Sequence, residues 1–188
     1  MTDNEIAAVI VTQLDTLMAA DPLLGTLSGL TAAQNFQPRQ QGAADTPIVY
    51  FIKVSDRRVG SPTVKDTFVD PVPPDPVGTM QHTESQVYAS TFQFMALMPQ
   101  DPTDTALPTA SDVLNVVAGI IASDANRAAF LAAGLGILRV ADVRNPYFTD
   151  DQDRFEASPS FDVVLTHKRV RTTTESVVVT YDAAVNRV

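Results

Sequence analysis

"ESQVYASTFQFMALM", residues 84 to 98, is the stretch on which the fold turns. Tyr88, Phe92, Phe94 and Ala96 share one side of an extended chain, and Val87, Ala89, Thr91, Gln93 and Met95 share the other. Side chains alternate at period two in a strand, so this is a long strand with one apolar and one mixed face. "PIVYFIKVS", residues 47 to 55, is a second strand, β-branched and aromatic, with both faces apolar at its centre. Between the two lies "DRRVGSPTVKDTFVDPVPPDPVGTMQH", residues 56 to 82, with five prolines that include Pro71, Pro73 and Pro74. Proline gives no hydrogen to a strand ladder, so the stretch is excluded as a central strand. It is also too long for a plain connection. It reads as a protruding hairpin arm, and two strands joined without a helix pair antiparallel.

Helices flank this unit. Thr2 and Glu5 have the capping-box spacing, and Ile6, Ile10, Leu14 and Leu17 recur on one helical face over residues 2 to 20. Asp21-Pro22 ends that helix. Residues 22 to 45 are irregular, with room for one helical turn. A second helix opens at Thr109 to Asp112 and buries Val113, Leu114, Val117, Ile120 and Ile121. Ser123 or Asp124 caps a third, which carries Phe130 and Leu131 and ends at Gly134. Strands follow over 136–144, 160–170 and 172–181. Consecutive strands without intervening helices predict an α+β fold: a single mixed, mainly antiparallel sheet with helices packed on one face, plus the proline-rich arm. Residues 1–170 form the domain, with the arm at 56–82. Residues 171–188 are a strand-like C-terminal extension, able to pair within the domain or with a neighbour.

Composition narrows the function. The chain has 188 residues, 45% of them hydrophobic, and no cysteine. Disulfides, thiolate nucleophiles and sulfur-ligated zinc are therefore out. No apolar run reaches the length of a membrane span. Acids precede the apolar stretch at the N-terminus where a secretory signal needs bases, so the chain is expected to stay where it is made. The formal charge is −9. A polyanion grips clustered Lys and Arg, and only His167 to Arg171 is dense in them. The charge argues against a DNA grip and suits a surface that DNA slides past.

Catalytic patterns fail one by one. Asp150, Asp151, Asp153 and Glu156 crowd one loop, but Glu156 stands where a calcium loop needs glycine. Sequence alone leaves open a pair of carboxylates acting as acid and base, and equally a solvated turn. His82 and His167 lack the spacing of a helical metal motif, and His167 reads as a strand side chain at an edge. There is no nucleophile elbow and no glycine-rich phosphate loop. Gly134 and Gly136 follow a helix and precede a strand, the reverse of a dinucleotide site, and read as a helix C-cap. Arg57 and Arg58 can bind a partner's carboxylate or simply occupy an exposed turn.

Four ordered blocks carry a resemblance: residues 37 to 60, 81 to 97, 108 to 124 and 136 to 170, the last reading "GILRVADVRNPYFTDDQDRFEASPSFDVVLTHKRV". Together they resemble the neck or tail terminator proteins of tailed bacteriophages. The resemblance implies a structural virion protein, not an enzyme, with no cofactor and no metal. It implies a homo-oligomeric ring of six copies that caps the head-proximal end of the tail tube, stops its growth and joins it to the head connector. Its implied partners are the tail tube protein, the connector or adaptor, and in contractile phages the sheath, with DNA passing through the lumen unbound and no membrane. It implies assembly in the host cytoplasm and residence in the virion neck or tail. A neck adaptor or tail-completion subunit and a tail-assembly chaperone are the alternatives. Candidate contacts to neighbours are Arg57, Arg58, Lys65 and Phe68 in the arm, and Asp150, Asp151 and Asp153 in the acidic loop.

Overall fold

A computed structural model describes residues 1–34, 46–70, 78–98, 107–145, 147–149, 155–157 and 159–176. The order is α1 (Asp3–Ala20), a 3-10 turn (Leu24–Thr26), β1 (Thr31–Gln34), β2 (Ile48–Val69), β3 (Thr79–Leu97), α2 (Ala110–Ala122), α3 (Asp124–Ala132), β4 (Leu135–Val140), β5 (Tyr147–Thr149), β6 (Phe155–Ala157) and β7 (Ser160–Ser176). The main sheet has five strands in the order β1-β2-β3-β7-β4. Only β1 runs parallel to its neighbour; the other pairings are antiparallel. Strands β5 and β6 form a separate small hairpin. The three helices pack together against the sheet, which is the expected α+β architecture.

Each helix begins where its first free N–H groups find an acceptor. The Thr2 hydroxyl accepts from the Glu5 amide at 3.3 Å, and the Glu5 carboxylate accepts from the Thr2 amide at 2.7 Å. Thr109 and Asp112 repeat the box for α2, at 3.2 and 2.9 Å. Ser123 serves two helices: its hydroxyl donates to the Ile120 carbonyl and accepts from the Asn126 amide. Gly134 follows α3 with φ 82, the left-handed position at which many helices end. Thr109→Ala is expected to cost about 1 kcal/mol, read as a lower urea midpoint with an unchanged slope; no loss would mean that packing alone fixes the start of α2.

The core lies between the helices and one sheet face. Phe51, Phe94 and Phe161 are register partners in a row across β2, β3 and β7. Their rings stack at 5.6 and 5.2 Å between centroids, and Phe92 meets Phe51 edge-on at 6.3 Å. From the helices, Ile6, Ile10, Leu14 and Met18 of α1, Val113, Leu114, Val117 and Ile121 of α2, and Phe130 of α3 close over this row, all buried. The stripe of α1 ends on Met18, where the sequence pointed to Leu17, which is only half-buried. Ile120 is likewise half-buried, and Leu131 is 71% exposed.

The arm projects as the expected hairpin and also lengthens the sheet: its residues up to Val69 and from Thr79 on continue β2 and β3, paired from Ile48↔Leu97 to Val69↔Thr79. Strand β7 runs on beside them, from Met95↔Ser160 to Thr79↔Ser176, across the position 170/171. Pro62 is tolerated because the ladder slips between Val59 and Thr63, where Gly60 takes φ 69. A bulge in a strand without a second neighbour is where proline costs least. The Gln86 side chain donates to the carbonyls of Val59 and Gly60 at 3.0 and 3.3 Å, pairing oxygens the bulge leaves open. Pro71, Pro73 and Pro74, and residues 177–181 of the expected last strand, lie outside the described residues.

Candidate assembly interface

Beyond the helices, three strands project as a ribbon. From Val54 to Val69 every residue of β2 is exposed, and so is β7 from Arg169 to Ser176. Among the described residues, ten large hydrophobic side chains are exposed, and seven of them lie on this ribbon: Val54, Val59, Val64, Phe68, Val69, Val87 and Val170. Leu23, Leu131 and Leu138 are the other three. Single exposed apolar side chains are ordinary, but a cluster on one projecting element marks a surface that a partner covers.

The register sorts the ribbon into two faces. Val64, Asp66 and Phe68 of β2 stand beside Glu84, His82 and Met80 of β3, and these beside Arg171, Thr173 and Glu175 of β7. This face continues the helix-covered side of the sheet. The opposite face carries Thr63, Lys65 and Thr67, then Ser85, Thr83 and Gln81, then Val170, Thr172 and Thr174. It is rich in hydroxyls, and its described residues include no carboxylate. The candidate contacts are therefore split. Arg57, opposite Ala89, and Lys65, opposite Thr83, share the hydroxyl face; Arg58, opposite Tyr88, and Phe68, opposite Met80, share the other. Phe68 is 48% exposed, and its ring lies over Gly78, where any added Cβ would strike it. Asp150, Asp151 and Asp153 fall between β5 and β6 and outside the described residues.

Where the ribbon leaves the core, a polar network replaces the aromatic row. Lys53 bridges Asp3 of α1 at 2.8 Å and also bonds Asp56; Arg169 reaches Asp3 at 3.0 Å and lies 5.1 Å over the Tyr88 ring. Burial alone would pull the Lys53 ammonium down, but its bonds to the two aspartates outweigh that and raise its pKa. Burial works against ionised Asp56 as well, and hydrogen bonds from Lys53 and Ser90 overcome it and lower its pKa. A groove of about 710 Å³ opens here between the first turn of α1 and Arg58, Gln86, Tyr88 and Arg169. None of this network was legible as a motif, because its members are spread from Asp3 to Arg169 along the chain.

His167 sits inside this network, not at an edge as its sequence position suggested. It is 2% exposed, paired with Tyr88 on one side and Leu135 on the other. Ser90 donates to Asp56, so His167 Nε2–H donates to the Ser90 hydroxyl at 3.0 Å, and Nδ1 has no partner among the described residues. Serine, histidine and aspartate here do not form a nucleophilic triad. In a triad the carboxylate orients the imidazole, which takes the serine proton. Here the carboxylate holds the serine itself, and the serine is fully buried. His82 lies on the ribbon, six β3 residues from Tyr88, between Asp66 at 2.6 Å and Glu175 at 3.7 Å. The two histidines are not brought together, and among the described residues no group of three or more metal-ligating side chains converges. No helix among them is long and apolar enough to cross a membrane.

The two imidazoles should respond oppositely to pH. Burial, with the nearby Arg169 charge, pushes His167 down, whereas the hydrogen bond that His82 donates to Asp66 raises His82. An unfolded histidine takes up its proton near pH 6.5. Below that value the unfolded chain binds a proton that folded His167 refuses, so stability from His167 is lost as pH falls through about 6.5. The His82 contribution is fully present below about 6.5 and is lost as pH rises through its raised folded value. Melting temperatures from pH 7.5 to 5.5 should show His167→Gln flattening the acid-side loss and His82→Gln steepening it. An unchanged slope in His167→Gln would remove the buried imidazole as its cause.

The family model described as E217 gateway protein gp29 matches residues 5–177, from the first helix to just past the last strand. No curated protein matches the chain. The matched span includes the whole ribbon, the acidic loop and the polar network at the ribbon's base apart from Asp3. The chain belongs to the E217 gateway protein gp29 family, structural proteins of the bacteriophage neck.

Proposed function

We propose that the protein is a ring subunit of the neck, that six copies assemble through their arms, and that DNA crosses the ring without specific binding. The observation that carries this reading is the ribbon of β2, β3 and β7, which puts seven large apolar side chains into solvent with no core beneath them. Ordering a projecting ribbon costs conformational entropy, and contact with a second copy offsets that cost. Family membership supports a place in the virion neck, with the other neck proteins as partners. The net charge of −9 supports passage of DNA over gripping it. In this reading Arg57, Arg58, Lys65, Phe68, Asp150, Asp151 and Asp153 face neighbouring copies or partners, and residues 171–188 extend the domain of 1–170 toward them.

The finer part of the proposal is that the ring caps the head-proximal end of the tail tube and joins it to the connector, beside the sheath where the tail contracts. Size-exclusion chromatography with light scattering and negative-stain imaging, with and without tail tubes, test the ring. A single sixfold species, or rings at one end of the tubes, is the expected result; a monomer that ignores tubes would sink the proposal. Particles made without the protein separate the finer roles. Overlong tubes indicate the terminator role, and tubes of normal length that fail to join heads indicate a ring nearer the connector. Absence from purified particles by mass spectrometry would favour an assembly chaperone.

A further inference from the structure

We infer that the ring closes by backbone pairing between arms: residues 63–69 of β2 in one copy lie alongside residues 170–176 of β7 in the next. This rests on the ring reading above and adds the surface that makes it. Strand β4 accompanies β7 only as far as Leu135↔His167, and β1 accompanies β2 only along Ile48–Phe51. Just beyond His167 the N-terminal ammonium of Met1 donates to the Lys168 carbonyl at 2.8 Å, and from Thr63 to Val69 and from Val170 to Ser176 no strand among the described residues pairs with the outer edge. Each edge offers a row of backbone N–H and C=O groups to another strand.

Chains usually blunt such edges, and this one does so selectively. The near part of the β2 edge is broken by the bulge at Val59/Thr63, with Gly60 at φ 69 and Pro62. The far part, Thr63 to Val69, has neither proline nor glycine, and the same is true of Val170 to Ser176. Both are dense in β-branched threonine and valine, the residues that fit a sheet. Height and direction also match. Thr63 and Val170 both pair with Ser85, and Val69 and Ser176 both pair with Thr79, so the two open segments span the same levels of the ribbon. Strands β2 and β7 both run antiparallel to β3 and therefore parallel to each other. Rotation about an axis along the arms brings β2 of one copy beside β7 of the next, at the same level and in parallel. The contact is heterologous and repeats until the ring closes, which leaves no edge open. Three strands from each of six copies give about eighteen, and closed sheets of that order enclose an open aqueous channel. The occupant of each edge is thus a second copy of this chain, because the chain itself carries the complementary edge.

Cysteine pairs test the pairing, since the chain has no cysteine of its own. Thr172→Cys is combined in turn with Thr63→Cys, Lys65→Cys and Thr67→Cys, all on the hydroxyl face, to allow for stagger. Within one copy Lys65 and Thr172 flank Thr83 on opposite sides. They are two strand spacings apart, roughly 9–10 Å, beyond the ~7 Å limit for a disulfide. Any bridge must therefore join two copies. At least one pair should give, on oxidation, a ladder of covalent species up to the full ring that collapses on reduction, while Thr172→Cys alone gives dimers at most. Reduced variants that form rings yet yield no ladder from any pair would overturn the inference and leave the ring reading standing. A wild-type chain that is monomeric alone and on tail tubes would overturn both.

Discussion

Phe94→Ala is expected to lower folding stability by about 3–5 kcal/mol, toward the upper end. Phe94 is 1% exposed and sits at the centre of the stacked row, with Phe51 on one side and Phe161 on the other. Alanine there removes apolar surface, leaves a cavity beneath α2, and breaks two ring–ring contacts at once. The flanking rings are held by their strands at fixed register, so the site collapses poorly, and poor collapse is what sets the cost of a cavity. Domains of this size hold about 5–15 kcal/mol in all, so the variant loses a large fraction of its margin. Guanidinium denaturation measures it: the midpoint should fall with the slope unchanged. A loss under about 1.5 kcal/mol would mean that the row is not the centre of the core. Phe161→Ala, at the end of the row, should cost less, because one stacked partner is lost and not two.

The second large effect concerns assembly and not folding. Deletion of residues 66 to 78 joins Lys65 to Thr79 and leaves Thr79 to His82 as a four-residue turn ahead of Thr83, the partner of Lys65. The described residues among those excised, 66–70 and 78, contribute no side chain to the hydrophobic core. The shortened chain should therefore fold with a melting temperature within a few degrees of wild type, since each kcal/mol is worth only ~2–8 °C. It should run as a monomer where wild type runs as a ring. It loses Phe68 and Val69 from the exposed apolar set and most of the unbroken β2 edge. Light scattering on the two proteins at equal concentration decides. Equal masses would reduce the arm to a surface hairpin and remove it from the interface.

The aromatic row was legible in the sequence because alternation at period two assigns faces locally. Phe92 and Phe94 share parity, Phe161 and Val163 alternate with Asp162, and each helix opens on a side chain that caps its own backbone. Such signals act over a few residues, so no tertiary context is needed to read them. They determined the α+β class, the three helices, the core faces and the bend of the chain into a hairpin between the two long strands. They also excluded the thiol and phosphate-loop chemistries.

Other features were decided by partners far along the chain. Strand β1, "TAAQ", has little strand preference of its own. It is a strand because the Asp15 carboxylate accepts from the Ala32 amide at 2.7 Å and β2 pairs beside it. The proline-rich arm extends the sheet because β3 and β7 supply ladders to it and a bulge absorbs Pro62; proline content read alone could not foresee that. His167, by sequence an edge histidine, became a buried neutral donor because Tyr88 and Leu135 flank it and the Ser90 hydroxyl accepts its hydrogen bond. Arg57 and Arg58, neighbours in sequence, point to opposite faces, since adjacent strand residues must. The sequence by itself determined the elements and the faces they bury, because those follow from short-range periodicity and caps. Only the tertiary structure decided which strand edges stay open and which charges meet, because both depend on pairings between residues as far apart as Asp3 and Arg169.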